Sequence, residues 1–465
     1  MKKILIPFVL LALVVSSCKK DLDLRPTDAI DVTKAFTSVD DLEKGLLGAY
    51  AQAGNENRIY IGSILSDEVK LSTENRGQGQ FSFKFQYSST EAEHNSDFGK
   101  YYVVLDRLHR VLAAMDNVAA NGQLESTRKA KIKAELIGLR GVALYELLIQ
   151  FMPSGYDPNA KAVAIVLKSD LTAKPSRNTV GEVVAQIQSD LAAARADANL
   201  PNTAASFAAG STDYLRLTKA AIAAYQARLS LLKRDYAAAI TFASDAMTLS
   251  GRSLATGSTY VNYWADANES ETIWKYRNSA TPQTLWRDTN GDVYFEPSDK
   301  LKNLFNRTTD IRFNTFFGSA GNDSSIVKKY PGSALGPQIN DLKMIRVSEM
   351  YLLRAEAYAE SNQLTQAAAD LNAVRAARIT GYTPVVLATQ AVAVTEILNE
   401  RFRELCFEGF RFFDLKRKGL AVNRLASDVQ SSTWQNLPAN NYKFALPLPQ
   451  DEIFANPNAV QNPGY

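Results

Sequence analysis

Histidine and cysteine are almost missing from this chain: its 465 residues hold His94 and His109, Cys18 and Cys406, and no others. A metal cage of imidazoles and thiolates cannot be built from so few donors. A disulfide framework is excluded as well, because neither cysteine has a credible partner. No G-x-S-x-G elbow, H-E-x-x-H pair or phosphate loop occurs, which removes the enzyme classes that such motifs carry. Two distant carboxylates suited to glycoside hydrolysis would leave no such trace. The charge is nearly balanced, +3 from 52 basic and 49 acidic residues, so there is no electrostatic footprint for nucleic acid. No Pro/Gly/Ser-rich linker divides the chain, and at 46% hydrophobic and 22% charged residues it has the composition of a folded protein with a large core.

Long apolar runs are also absent, except at the start. Lys2 and Lys3 precede an apolar stretch over 4–15, which ends at Ser16-Ser17-Cys18. This is the pattern of a secretory signal, and it is too short to span ~30 Å of hydrocarbon comfortably as a helix. A cysteine directly after small residues is where bacterial lipoproteins are cut and acylated. Residues 1–17 are therefore expected to be removed and Cys18 to carry the lipid, on a tether over 18–38. Acyl chains would hold it at about 0.8 kcal/mol per buried methylene. The following Lys19-Lys20-Asp21-Leu22-Asp23 resembles the tag that exports Bacteroidetes lipoproteins to the outer face of the outer membrane.

Helical spacing dominates the rest and predicts helices near 39–53, 96–119, 125–151, 179–198, 213–233, 236–250, 343–361, 364–379 and 391–414. Two of the resulting hairpins align at a constant offset: Ala227-Arg228-Leu229-Ser230 with Tyr236 and Ala239-Ile240, against Ala355-Glu356-Ala357-Tyr358 with Leu364 and Ala367-Ala368. Alanine at a crossing lets helices approach closely, and Tyr or Leu before the second helix fills the hole between them, which is the packing logic of a tetratricopeptide repeat. The expected fold is mostly α: one domain over 39–465, with about four helix pairs forming repeats over 39–250 and 343–414. A loop-rich subdomain with short strands fills 251–342, where Gly, Asn, Asp, Ser and Thr rise and three of the four tryptophans lie. A proline-containing tail over 415–465 should wrap the surface in extended form.

Two motifs near the C-terminus are more specific. The first is Glu400-Arg401-Phe402-Arg403-Glu404-Leu405-Cys406-Phe407-Glu408-Gly409-Phe410-Arg411-Phe412-Phe413-Asp414-Leu415-Lys416-Arg417. The second combines Leu446-Pro447-Leu448-Pro449 with Glu452-Ile453, Asn456-Pro457-Asn458 and Gln461-Asn462-Pro463-Gly464-Tyr465. With the lipid-anchor signal, these resemble the SusD/RagB family. Weaker matches at Asp310-Ile311-Arg312, Arg346-Val347-Ser348-Glu349, Glu135, Arg140 and Tyr145 extend the similarity over nearly the whole chain. His109, where the family usually has asparagine, and Met152-Pro153-Ser154, where a glycine-containing turn is usual, depart from it. The resemblance implies a lipid-anchored nutrient-binding protein of the outer membrane, facing the exterior, that captures oligosaccharides for a SusC-like TonB-dependent transporter. It also implies a protein that is not an enzyme, since hydrolysis in that family belongs to neighbouring proteins. Peptide capture, as in some relatives, and a helical scaffold with no small ligand are the alternatives.

The first motif also has structural physics of its own. Its glutamates recur at helical spacing beside arginines, so it reads as a packing and ion-pair motif in which Arg411 partners Glu408 or Asp414, and Cys406 is a small core residue. The candidate ligand residues lie elsewhere. Trp286 and Arg287 sit in the polar run Thr284-Leu285-Trp286-Arg287-Asp288, which suits an exposed ring that stacks on sugar. Trp274 alternates within a strand and reads as core, while Trp264 is undecided. The loop Glu74-Asn75-Arg76-Gly77-Gln78-Gly79-Gln80 offers Asn75 and Arg76, with Tyr60 just upstream. No cofactor or metal ligand set is implied, and calcium is left open.

Overall fold

The computed structural model describes residues 35–465 apart from 55, 171, 205–212, 278–284, 289, 321–323 and 338. Cys18, the signal segment and most of the tether lie outside the described residues. The long helices are α1 Val39–Tyr50, α2 Glu56–Ile64, α3 Ala92–Ala114, α4 Gly122–Phe151, α5 Val180–Ala196, α6 Lys219–Leu232 and α7 Tyr236–Ser250. After the insertion come α10 Val347–Glu360, α11 Leu364–Arg378, α12 Gln390–Leu405 and α13 Arg411–Lys418, while the short α8 Gly257–Trp264 and α9 Ile311–Phe316 lie within it. Among the described residues, no helix is long and apolar enough to cross a membrane.

Local chemistry starts these helices. Ser38 and Asp41 form a reciprocal capping box before α1, Thr179 and Glu182 do the same before α5, and Thr218 and Asp235 cap α6 and α7. Each helix then packs on the next: α3 on α4, α4 on α5, α5 on α6, α6 on α7, α7 on α10, and α10 on α11 and α12. This is the succession of a helical-repeat scaffold, in which one hairpin buries the face of its neighbour. The alanines that aligned in sequence sit at the crossings. Ala227, Ala239, Ala355 and Ala367 are all completely buried.

Short antiparallel ladders brace the insertion, and the first of them ties it to the chain just after α2. Strand β1 (Val69–Leu71) pairs with β3 (Phe295–Pro297), β2 (Thr272–Tyr276) with β6 (Leu342–Arg346), and β4 (Phe317–Ala320) with β5 (Ser324–Val327). β6 runs directly into α10. Trp264, the residue left undecided in sequence, is enclosed by Tyr260, Tyr263, Phe316 and Tyr330, and Trp274 is core. The tail crosses the C-terminal end of α4: Leu446 N–H donates to Gln150 O (3.1 Å), Asn462 Nδ2 to Phe151 O (3.3 Å), and Lys416 Nζ to Ile149 O (2.7 Å) and Gln150 O (2.9 Å). Carbonyls left unpaired at that helix end are thus satisfied.

The helix expected over 391–414 is broken. It ends at Leu405, and the chain turns through Phe407 and Gly409, with φ of 60° and 78°, before α13 begins. The cause is a close approach. A Cβ on Gly409 would lie 3.1 Å from the backbone of Arg58 and Ile59, and one on Gly62 would lie 2.8 Å from Gly409 Cα, so α2 crosses where neither residue can carry a side chain. The break also reassigns a partner. Arg411 bonds Asp67 (2.7 and 2.9 Å) rather than Glu408 or Asp414, because the turn swings its side chain towards α2. Asp414 instead holds Arg401 and Arg417.

Glu404 is the hub of a buried ion network. It accepts from Arg312 (3.1 Å), Arg346 (3.0 Å) and Arg378 (2.9 and 3.0 Å). Glu271, Glu400, Glu408, Asp310 and Lys329 extend the network, which joins α11, α12 and the start of α10 to the insertion.

One buried carboxyl nearby lacks such company. Glu68 accepts from Ser63 Oγ, its Oε1 has no partner, and burial pushes its pKa up to about 7 from 4.5. The folded state therefore keeps a proton that the unfolded chain gives up first. The stability is complete below about 4.5 and is lost as pH rises towards about 7, by roughly 3 kcal/mol for this group. Glu68→Gln should therefore gain on the wild type in thermal melts between pH 5 and pH 8, since the amide has no charge to bury. Parallel melting curves at the two pH values would contradict the assignment.

Candidate functional site

The two loops singled out in the sequence meet, although the residues that bond across the junction are 219 positions apart. Their contact continues the β1–β3 ladder. Ser72 N–H donates to Tyr294 O (3.1 Å), and Glu74 Oε2 accepts from Val293 N–H (2.6 Å). Asn75 Nδ2 reaches Tyr294 O (3.1 Å) and Gln78 O (2.9 Å). Asn75 Oδ1 accepts from Gly77 N–H (2.8 Å) and Gln80 Nε2 (2.9 Å). Asn75 is thus the brace of its loop, with its amide spent internally, and it is not free to bind a ligand. Arg76, with a side chain 72% exposed, pairs with Asp292 across the junction.

Trp286 is in a different place from the one its polar neighbours suggested. Its ring is 1% exposed, stacked on Tyr330 (6.4 Å between centroids, 13°) and set edge-on to Phe407 (5.4 Å, 69°). The reason lies in the backbone. Trp286 O accepts from Tyr294 N–H (2.7 Å) and Phe295 N–H (3.2 Å), and Arg287 bridges Val293, so the segment is one arm of a hairpin in which neighbouring side chains alternate faces. The tryptophan faces the core, and Arg287 is left half-exposed on the outside.

Tyr60 is half-buried and meets Phe295 edge-on (6.0 Å, 78°). It also lies under the loop, since a Cβ on Gly79, whose φ is +60°, would fall 2.3 Å from the tyrosine oxygen. Tyr60, Asn75, Arg76 and Arg287 therefore share one region, of which Arg76 and Arg287 form the accessible part. Two aromatics that sequence reasoning missed adjoin it. Phe81, 59% exposed, follows Gln80 directly. Trp434, half-buried, lies against Lys84 (4.5 Å from Nζ to the ring), which in turn donates to Gln80 Oε1 (2.9 Å). Trp434 is the one tryptophan whose ring is not fully enclosed. The signal was present in part: Ser431-Ser432-Thr433-Trp434-Gln435-Asn436 is as polar a setting as that of Trp286, but the ring sits in a 3-10 turn just before the short ladder in which Asn436 pairs with Asn423, so strand alternation does not turn it inwards.

Charge in this region is modest and braced. Asp288 accepts from the N–H groups of Asn290 and Asp292 (both 2.9 Å) and so holds the hairpin tip. Among the described residues, no group of three or more His, Cys, Asp or Glu side chains is placed to hold a metal ion. Accessible arginine donors and part-exposed rings carried by these braced segments can bind hydroxyls and stack on flat apolar faces. No nucleophile and base are brought together among them.

A helical-repeat scaffold that carries a separate platform of loops defines a class of binding proteins. This chain belongs to the SusD/RagB family. The SusD family profile matches residues 260–465, and a second, described as starch-binding associating with outer membrane, matches residues 20–231. A SusD superfamily protein of Bacteroides thetaiotaomicron superposes with a TM-score of 0.80 at 25% identity, covering 92% of this chain and 100% of that one. A SusD-like carbohydrate binding protein of Bacteroides vulgatus gives 0.78 at 20% identity, over 91% and 98%, and at that identity shares the fold. A SusD-like protein of Formosa agariphila is 31% identical over 156 residues, which span 30% of this chain and 31% of that relative.

Proposed function

We propose that this chain is a lipid-anchored nutrient-binding protein on the cell exterior, which captures oligosaccharides on the loop platform and passes them to a SusC-like TonB-dependent transporter. The observation that carries the reading is the platform itself. Exposed Phe81, part-exposed Trp434, Arg76 and Arg287 stand on loops whose own polar groups are already spent on bracing. Preformed loops lose little freedom on binding. Aromatic faces suit the C–H faces of sugar rings, and guanidinium donors suit hydroxyls. The role is binding without chemistry, and anchoring falls to Cys18.

Affinity electrophoresis of the purified protein against polysaccharides and peptides would find the ligand, and calorimetry would then test the platform. Phe81→Ala and Trp434→Ala should each weaken binding by about thirtyfold if they are hot-spot rings worth ~2 kcal/mol, with melting temperatures close to wild type. Unchanged affinity in both would move the site elsewhere. Capture of peptides alone would keep the binding role and replace the sugar.

Cys18→Ala should release the protein from membranes without altering its melting curve. Fractionation in cells lacking the transporter partner decides this. Continued pelleting with outer membranes would refute lipid anchoring.

A further inference from the structure

Arg424 follows strand β7 (Val422–Asn423), which pairs with β8 (Asn436–Leu437). It is 2% exposed, and all four bonds of its side chain go to backbone carbonyls. Nε donates to Ser66 O and Nη2 to Ile64 O (both 2.9 Å), at the end of α2. Nη1 donates both to Phe83 O (2.6 Å) and to Trp434 O (2.9 Å). The rings of Phe83 and Phe85 lie against the guanidinium, 3.8 and 4.5 Å from its carbon to their centres.

A buried guanidinium with no carboxylate among its partners loses hydration that nothing of opposite charge replaces, and burial pulls its pKa down to about 9. Leucine or methionine would fill the same space without that penalty. What the guanidinium supplies is direction. One planar fork reaches three separate segments, and each of its bonds is charge-assisted. Those segments are too short to hold a position by themselves. Gln80–Phe83 is one helical turn, Ser432–Trp434 is another, and the β7–β8 ladder beside the second has two residue pairs. Phe85 also stands at a φ of 58°, unfavourable for a bulky side chain, with its ring on the guanidinium.

We propose that Arg424 is the positioning residue of the loop platform: it fixes the Phe81 ring relative to the Trp434 ring, so that both meet one ligand at a set separation. This rests on the reading of those two rings as the binding surface. Phe81 belongs to the turn that ends at Phe83, whose carbonyl is held by Nη1, and Trp434 gives its own carbonyl to the same nitrogen. Lys84, which lies against the Trp434 ring and bonds Gln80, completes the link. Rings held at one separation favour an oligosaccharide long enough to reach both, because the second contact then needs no further ordering of the protein. Arg424 thereby selects ligand length without touching the ligand.

Hydrogen–deuterium exchange of the ligand-free protein tests the geometry. In Arg424→Lys, which keeps a cation but loses the fork, peptides covering 80–86 and 431–437 should exchange roughly tenfold faster, together, while the repeat helices α6, α7, α10 and α11 stay as in wild type. Acrylamide should also quench the fluorescence of the variant more strongly, since Trp434 is the tryptophan whose ring is not enclosed. Should Arg424→Lys fail to fold, Arg424→Met, which buries no charge, carries the same expectation. Unchanged exchange in both segments, loosening of one alone, or equal loosening of the whole chain would overturn the proposal. A second test uses fragments of about two and about six sugar units, cut from the polysaccharide that affinity electrophoresis retains. Wild type should prefer the longer fragment, and the Arg424 variant should lose roughly tenfold or more of that preference. An equal preference in both proteins would count against Arg424 alone. Unchanged affinity in both Phe81→Ala and Trp434→Ala would instead overturn the platform reading, and this proposal with it.

Discussion

Glu404→Ala should leave little folded protein. The carboxylate is fully buried and receives three guanidiniums, those of Arg312, Arg346 and Arg378, each no more than 1% exposed. Burial alone would raise its pKa, but Arg378 and Arg346 outweigh that and hold it well below 4.5. Breaking a buried pair typically costs 3–5 kcal/mol, because the remaining charge loses its partner without gaining water. Here one deletion touches three cations, although Asp310, Glu271, Glu400 and Glu408 still hold parts of them. The cost should lie at or above the top of that range, against a total of ~5–15 kcal/mol for an ordinary domain. Soluble yield and urea unfolding read the effect, and a midpoint close to wild type would show that the network contributes little. The wild type should show the same dependence in acid. Since the folded pKa is depressed, the contribution is complete above about 4.5 and is lost as pH falls below that value towards the folded pKa.

That network explains why the C-terminal motif was legible as structure and its shape was not. Spacing of glutamates and arginines predicted ion pairing within the segment, and Arg403 with Glu400 and Arg401 and Arg417 with Asp414 are such pairs. The partners of Glu404, Glu408 and Arg411, however, are Arg312, Arg346, Arg378, Lys329 and Asp67, far along the chain. Local periodicity sees i+3 and i+4 neighbours, whereas a charge buried at a junction of elements is paired by whatever the fold delivers. The break at Phe407 and Gly409 has the same origin, since the glycine serves the crossing with Gly62, which no local pattern announces. Helices and repeats were legible because alanine crossings and 3.6-residue spacing are local. Of the candidate site, the pairing of loop 74–80 with the hairpin near 287 was within reach because both are polar interruptions between periodic segments. Phe81 and Trp434 were not found, since exposure of a single ring depends on what packs over it. Asn75 was found for the wrong reason: its amide braces the loop instead of facing a ligand.

Trp286→Ala, at a residue whose polar flanks suited an exposed ring stacking on sugar, should instead lower stability by ~3–5 kcal/mol, the usual range for emptying a buried Trp or Phe site. The ring fills the space between Tyr330 and Phe407, and Phe407 belongs to the strained turn that carries the C-terminal motif. Its indole N–H has no partner, so its contribution there is apolar packing, with no hydrogen bond to lose. Trp286→Phe should therefore recover much of the loss by restoring an aromatic to the site. Because the backbone of Trp286 also closes the hairpin that braces the loop platform, ligand affinity in the alanine variant should fall only as far as the hairpin loosens. Calorimetry well below the melting transition, on wild type and both variants, separates the two effects. A Trp286→Ala protein that melts like wild type but binds about thirtyfold more weakly would return this ring to the ligand face and contradict its burial against Tyr330. A large drop in melting temperature with near-normal affinity in the cold would leave Arg76, Arg287, Phe81 and Trp434 as the residues on which recognition rests.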